Sequence, residues 1–243
     1  MRKNKLYGAI LGDLAGQPFE FPAMIHFPAI DTINIHNPDS VITDDSLMTL
    51  ATAKSILDNQ PIEEAYKEIG LKYNGDHYGK GFKEWLKSPI GTINPSYGNG
   101  CLMRISPYMY LDVSDNEKKE LIIASCLTSH AHPKSILKSL ELFELYNSNL
   151  ELKPFTRERF KKFAVSADKT FDFIKDLFSS FESTHEAIKV AISCGGDTDT
   201  NASIIGELMN YTYQDITQED INYVESKLDD YQLDILKRFQ TYK

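Results

Sequence analysis

Apolar residues return at spacings of three and four along almost the whole chain, and sustained alternation of apolar and polar residues is absent. That period belongs to helices, whose side chains realign about every 3.6 residues, and not to strands, whose side chains alternate between faces. The expected fold class is therefore all-α, a helical bundle forming a single domain over residues 1–243. Helices are expected over about 6–16, 44–58, 61–73, 82–86, 117–128, 133–146, 171–177, 184–192, 197–213, 220–228 and 231–239, with another starting inside 98–107. Small residues in the first of these (Gly8, Ala9, Gly12, Ala15, Gly16) permit close packing. Residues 22–42, punctuated by Pro22, Pro28 and Pro38, read as a loop in which 30–35 alternates weakly enough to suggest a short strand. Loops of that length in a compact domain commonly serve a site. Residues 149–163 read as a polar excursion.

Composition narrows the class further. Hydrophobic residues make up 42% and charged residues 25%, as in globular proteins, and the length suffices for a substantial core. No apolar run approaches the roughly 20 residues that span a bilayer, and Gly8, Gly12 and Asp13 interrupt the apolar stretch that follows the basic N-terminus. The three cysteines (Cys101, Cys126, Cys194) are odd in number and widely spaced, which fits reduced thiols in a cytoplasmic protein. A formal charge of −9 argues against non-specific nucleic-acid binding, although bound divalent ions can reverse the local field toward a phosphate-bearing substrate.

Two polar clusters stand out. Gly195-Gly196-Asp197-Thr198-Asp199-Thr200-Asn201 sets two carboxylates and several hydroxyls on a glycine-shaped turn before a long amphipathic run. One such residue suffices to cap a helix, whereas a dense array of hard oxygen donors is what magnesium, manganese or calcium requires. Thr43-Asp44-Asp45-Ser46 repeats the pattern at the mouth of another helix. Adjacent aspartates repel, and in a cleft a cation would offset that repulsion. Further candidates carry two readings each. Glu20, between Phe19 and Phe21, is a surface residue or a deliberately placed acid. Gly98-Asn99-Gly100 is a turn or a loop whose amides approach a phosphate. Arg104 contacts the same anion or caps a neighbouring helix. Of His130 and His132, one packs structurally and one lines a pocket. Cys101 and Cys194 read as small apolar residues, and Gln218-Glu219-Asp220 as a solvated helix start.

Taken in order, these segments resemble the ADP-ribosylglycohydrolase family. They are Gly8-Ala9-Ile10-Leu11-Gly12-Asp13-Leu14-Ala15-Gly16 with Glu20, Thr43-Asp44-Asp45-Ser46, Tyr78-Gly79-Lys80-Gly81-Phe82 with Trp85, Gly98-Asn99-Gly100 with Met103, Arg104 and Pro107, Ser129-His130, and Gly195 to Asn201. The resemblance implies an orthogonal bundle with a dinuclear metal cleft holding two divalent cations, Mg2+ or Mn2+. Thr43, Asp44, Asp45, Asp197, Asp199 and Thr200 would be their ligands. It implies Glu20, Asp45 and Asp197 as catalytic residues, and Gly98, Asn99, Gly100, Met103, Arg104 and His130 as the substrate-binding set. Cys101-Leu102 stand where the family more often has small residues, which would narrow the pocket.

The expected activity is hydrolysis of the glycosidic bond between ADP-ribose and a protein side chain, the partner being an ADP-ribosylated protein and the enzyme a monomer. Alternatives are hydrolysis of a free or nucleic-acid-linked ADP-ribose derivative, or a family member that binds without turnover.

Overall fold

The computed structural model describes residues 2–20, 27–74, 77–148, 151–156 and 165–242. Among the described residues the fold is all-α, with twelve helices: α1 (Tyr7–Gly16), α2 (Asp44–Leu57), α3 (Ile62–Lys72), α4 (Lys80–Leu86), α5 (Ser106–Met109), α6 (Asp115–Ser129), α7 (Pro133–Tyr146), α8 (Ala167–Phe178), α9 (Thr184–Ser193), α10 (Thr198–Tyr213), α11 (Gln218–Ser226) and α12 (Asp230–Thr241). None is long and apolar enough to cross a membrane. The weak alternation at 30–35 does not become a strand. Ile30–Thr32 is a single 3-10 turn, and the one extended pairing among the described residues is an isolated bridge between Gly98 and Ser166. Much of the polar excursion, at 149–150 and 157–164, falls outside the described residues.

The centre of the bundle is the antiparallel pair α1 and α10. Every residue of α1 is buried, and so are fourteen of α10, from Thr198 to Tyr211. Glycine sets how closely they approach. A Cβ on Gly8 would lie 2.3 Å from the Gly206 carbonyl oxygen, one on Gly12 2.0 Å from that of Ala202, and one on Gly16 2.3 Å from that of Thr198. Only a residue without a Cβ permits backbones this close. The pair is also tied electrostatically, because Glu207 of α10 accepts the Leu6 and Ala9 N–H groups at 2.7 and 3.0 Å, two of the free amides at the start of α1. Around this pair α9 packs on α10, while α2 carries α3 and α12 and α6 meets α7, all through one continuous apolar core.

Helix starts follow local chemistry. Ser114 and Glu117 cap α6 reciprocally, as Thr217 and Asp220 do α11 and Asp229 and Gln232 do α12. Thr43 caps α2 by accepting the Asp45 N–H at 3.3 Å, and this cap is held in turn from α1. The Asp13 carboxylate accepts Thr43 N–H at 2.9 Å, Thr43 Oγ1 at 2.7 Å, Ser46 N–H at 3.1 Å and the Ser46 hydroxyl. The N-termini of α2 and α10 are thereby brought to the same end of α1.

Candidate active site

At that end lies a cavity of about 330 Å³ with three walls. Glu20, Asp44, Asp197, Asp199 and Thr200 form the acidic wall, and Gly98, Asn99, Gly100, Met103 and His130 the second. His77, Gly79, Lys80, Gly81 and Phe82 form the third. Asp197 caps α10, and Asp199 and Thr200 occupy its first turn, so this wall is a helix mouth.

The two acidic segments meet directly. Thr200 Oγ1 donates to Asp45 Oδ2 at 3.0 Å across 155 positions of sequence. Candidate ligand atoms of Asp13, Asp45 and Asp199 lie within 4.8 Å of one another, and so do those of Glu20, Asp197 and Asp199. Asp199 belongs to both groups. Asp44 lines the cavity but falls in neither group. Thr43 and Asp45 lie behind the wall, buried, and the Thr43 hydroxyl is engaged by Asp13.

Gathering these carboxylates has an electrostatic cost. Burial, then the charges of Asp13 and Asp197, pushes Asp44 well above the usual carboxylate range. Asp45 and Asp199 are raised in the same way by burial and by neighbouring aspartates. Asp197 is raised by burial although Asn99 donates to its Oδ2 at 2.6 Å. Glu20, half-buried, is pushed up to about 7 by burial and by Asp197 and Asp13. A buried Asp45 Oδ1 without a hydrogen-bond partner adds an orphaned acceptor. Hard oxygen donors, mutual repulsion and an unsatisfied carboxylate oxygen together fit a divalent cation.

The second wall is held in place from behind. Asn99 N–H donates to Val165 O at 2.9 Å and Ala167 N–H to Tyr97 O at 3.1 Å, pinning the Gly98 turn to the start of α8. Arg104 borders the same cavity from a buried position, and its hydrogen bonds run to a neighbouring helix. Its side chain is wholly buried, stacks on Tyr66 at 4.2 Å, and donates through Nη2 to Ser125 O at 3.1 Å and Ser129 Oγ at 2.8 Å. The guanidinium thus ties to the C-terminal end of α6 through one carbonyl and one hydroxyl. His130 lines the cavity against Phe82, while His132 caps α7 through its Nδ1 and stacks on Tyr97.

A family model described as ADP-ribosylglycohydrolase matches residues 3–151, more than half of the chain. The chain belongs to the ADP-ribosylglycohydrolase family. A solved structure described as an ADP-ribosylglycohydrolase-related protein complex is similar over 98% of this chain and 97% of its own, with a TM-score of 0.69 at 17% identity. At that identity the likeness speaks for the fold. None of the curated proteins matches. Membership supports a glycohydrolase, and the acidic clusters are in keeping with the metal dependence typical of the family.

The family match stops short of Gly195-Gly196-Asp197-Thr198-Asp199-Thr200-Asn201, so for this family member the joining of that segment to the site is a finding of the tertiary structure. Two residues gain weight. Asp13, which lies within the first matching segment, orients the start of α2 and joins an acidic group. Its signal was legible: it is the single charge in a helix otherwise made of small and apolar residues. Lys80, also within a matching segment, supplies a cation on the third wall.

Proposed function

We propose that this glycohydrolase removes ADP-ribose from an ADP-ribosylated protein side chain, with two divalent cations held by Asp45, Asp197, Asp199 and Thr200 together with Asp44, and with Asp13 and Thr43 orienting that set. The observation that carries the reading is the meeting of both acidic segments with the Gly98-Asn99-Gly100 turn around one cavity. A cleft of this volume suits a nucleotide-sized ligand. Bound divalent cations would offset the clustered charge and act as Lewis acids toward ribose oxygens. The chain's own residues do the rest. The Gly98 and Asn99 N–H groups are taken by Ser96 Oγ and Val165 O, and what the turn offers a diphosphate is close approach along glycines that carry no Cβ. Asn99 ties that turn to Asp197, so substrate position and acidic wall move together. Cleavage at the anomeric carbon develops positive charge on the ribose, which the acidic wall stabilises. Glu20, on the acidic wall and with burial favouring its protonated form, is the acid placed to transfer the proton that hydrolysis requires.

The test is release of ADP-ribose from a panel of ADP-ribosylated peptides, read by mass spectrometry with and without EDTA. Chelation is expected to abolish release, and Asp197→Ala and Asp44→Ala to lower it by about a hundredfold or more. Full activity after chelation, or in the double variant, would overturn the reading. Release only from a free or nucleic-acid-linked ADP-ribose derivative would transfer it to that substrate.

A further inference from the structure

We infer that Arg104 acts through Ser129 to hold the His130 ring as its Nε2–H tautomer, so that a hydrogen-bond donor is aimed at a substrate oxygen lying along the Gly98-Asn99-Gly100 turn. A guanidinium only donates. The two Nη2 hydrogens of Arg104 go to Ser125 O and Ser129 Oγ, so the Ser129 hydroxyl accepts there. Ser129 keeps one proton to give, and His130 Nδ1 lies 3.0 Å away. Ser129 Oγ has a second lone pair, but Nδ1 is the acceptor that its one proton meets among the described residues, so the relay assigns the ring proton to Nε2.

Nε2 is also the ring atom turned to the cavity's second wall. A Cβ on Gly100 would lie 3.0 Å from it, and one on Gly98 3.6 Å. Glycine at both positions leaves room for the ring edge. Burial, and then the Arg104 charge, keep the imidazole from taking a second proton, so the donor is neutral. The opposite tautomer would turn a lone pair on the ligand's oxygen and repel it. Arg104 is thus a positioning residue for the ring, which it reaches through Ser129, while its buried side chain also borders the cavity. The inference rests on the glycohydrolase reading for the nature of the acceptor oxygen, and on this geometry alone for the tautomer.

The experiment is a long-range 1H–15N correlation spectrum of the ligand-free full chain with 15N-labelled histidine. Of six histidine signals, the one missing in His130→Gln is assigned to that ring. The expected wild-type signature is a protonated Nε2 and an unprotonated Nδ1. Ser129→Ala is expected to give a mixture of tautomers and to weaken ADP-ribose binding about tenfold in calorimetry. Arg104→Met should do the same, and Ser129→Ala carries the test if that variant does not fold. A wild-type Nδ1–H tautomer, an imidazolium, or an unchanged tautomer in Ser129→Ala would overturn the relay. A correct tautomer in a chain that binds no ADP-ribose would uphold the relay and count against the proposed function.

Discussion

Asp199 is asked to serve two acidic groups at once, and this makes it the residue where stability and function pull hardest against each other. Burial and its neighbours raise its proton affinity, so its ionised form strains the fold when no cation balances it. An amide keeps an acceptor for the Thr200 N–H, which Asp199 Oδ1 now takes at 3.0 Å, but carries no charge. Asp199→Asn is expected to stabilise the chelated protein at neutral pH by about 1 kcal/mol, an increase in Tm of roughly 2–4 °C. The same change should remove most of the further rise that Mg2+ or Mn2+ gives the wild type, which is about 2.7 kcal/mol at a hundred times Kd. Calorimetric scans with EDTA and with each metal read both effects. A destabilised chelated variant would mean that the carboxylate contributes more as a hydrogen-bond acceptor than it loses through repulsion.

At the scale of elements, the α1–α10 pair sets the separation between Asp13 and the first turn of α10. Gly12→Ala would place a methyl group 2.0 Å from a carbonyl oxygen of α10, and because backbone is the obstacle, whole helices must move. A loss of about 3 kcal/mol or more is expected, with activity falling alongside stability. Gly79→Ala is the matched control, since nothing lies within 4 Å of a Cβ there, and its φ of −57° suits any residue. Denaturant titration should leave it within about 0.5 kcal/mol of wild type. The same helix pair depends on Glu207, which burial raises to about 7 although Tyr110 Oη and the Leu6 and Ala9 amides donate to it. Glu207→Leu orphans all three donors and is expected to cost about 3 kcal/mol or more, Glu207→Gln clearly less. Equal losses in the two would show that Glu207 acts by volume and not as an acceptor.

For the molecule as a whole, a single buried aspartate ties distant segments together. Asp220 receives His36 Nε2 at 2.6 Å and His185 Nε2 at 2.9 Å on one oxygen, and Thr217 N–H and Oγ1 on the other. The loop before α2, the start of α9 and the start of α11 are joined at that carboxylate. Burial opposes ionisation of Asp220, but the hydrogen bonds from His185, Thr217 and His36 outweigh it and hold the group well below the usual range. The bond to Asp220 raises His185 against the opposing effect of burial. A depressed carboxylate stabilises fully above its unfolded pKa of about 4, and the effect is lost as pH falls through the folded value. A raised imidazole stabilises fully below its unfolded pKa of about 6.5, and the effect is lost as pH rises through the folded value. This cluster's share of Tm should therefore be flat between about pH 4 and 6.5 and decline on either side. His185→Gln is expected to flatten the alkaline decline. An unchanged slope in thermal melts across pH 6–8 would rule that out.

How much of this was legible in the chain depends on whether the deciding interaction was local. Helical class and the two acidic helix mouths are properties of residues a few positions apart, so periodicity and capping chemistry carry them. Asp220 shows where that stops: it looked like a solvated residue at a helix start, and it is buried because His36 and His185 reach it from elsewhere. Arg104 was ambiguous for the same reason, since Ser125 and Ser129 lie more than twenty positions further on. Residue types alone set which groups can donate, accept or hold a cation. Only the tertiary structure decided which of them meet, because Asp13 and Asp45 are brought to Asp199 by the close approach of α1 and α10, a contact between backbones about 190 residues apart.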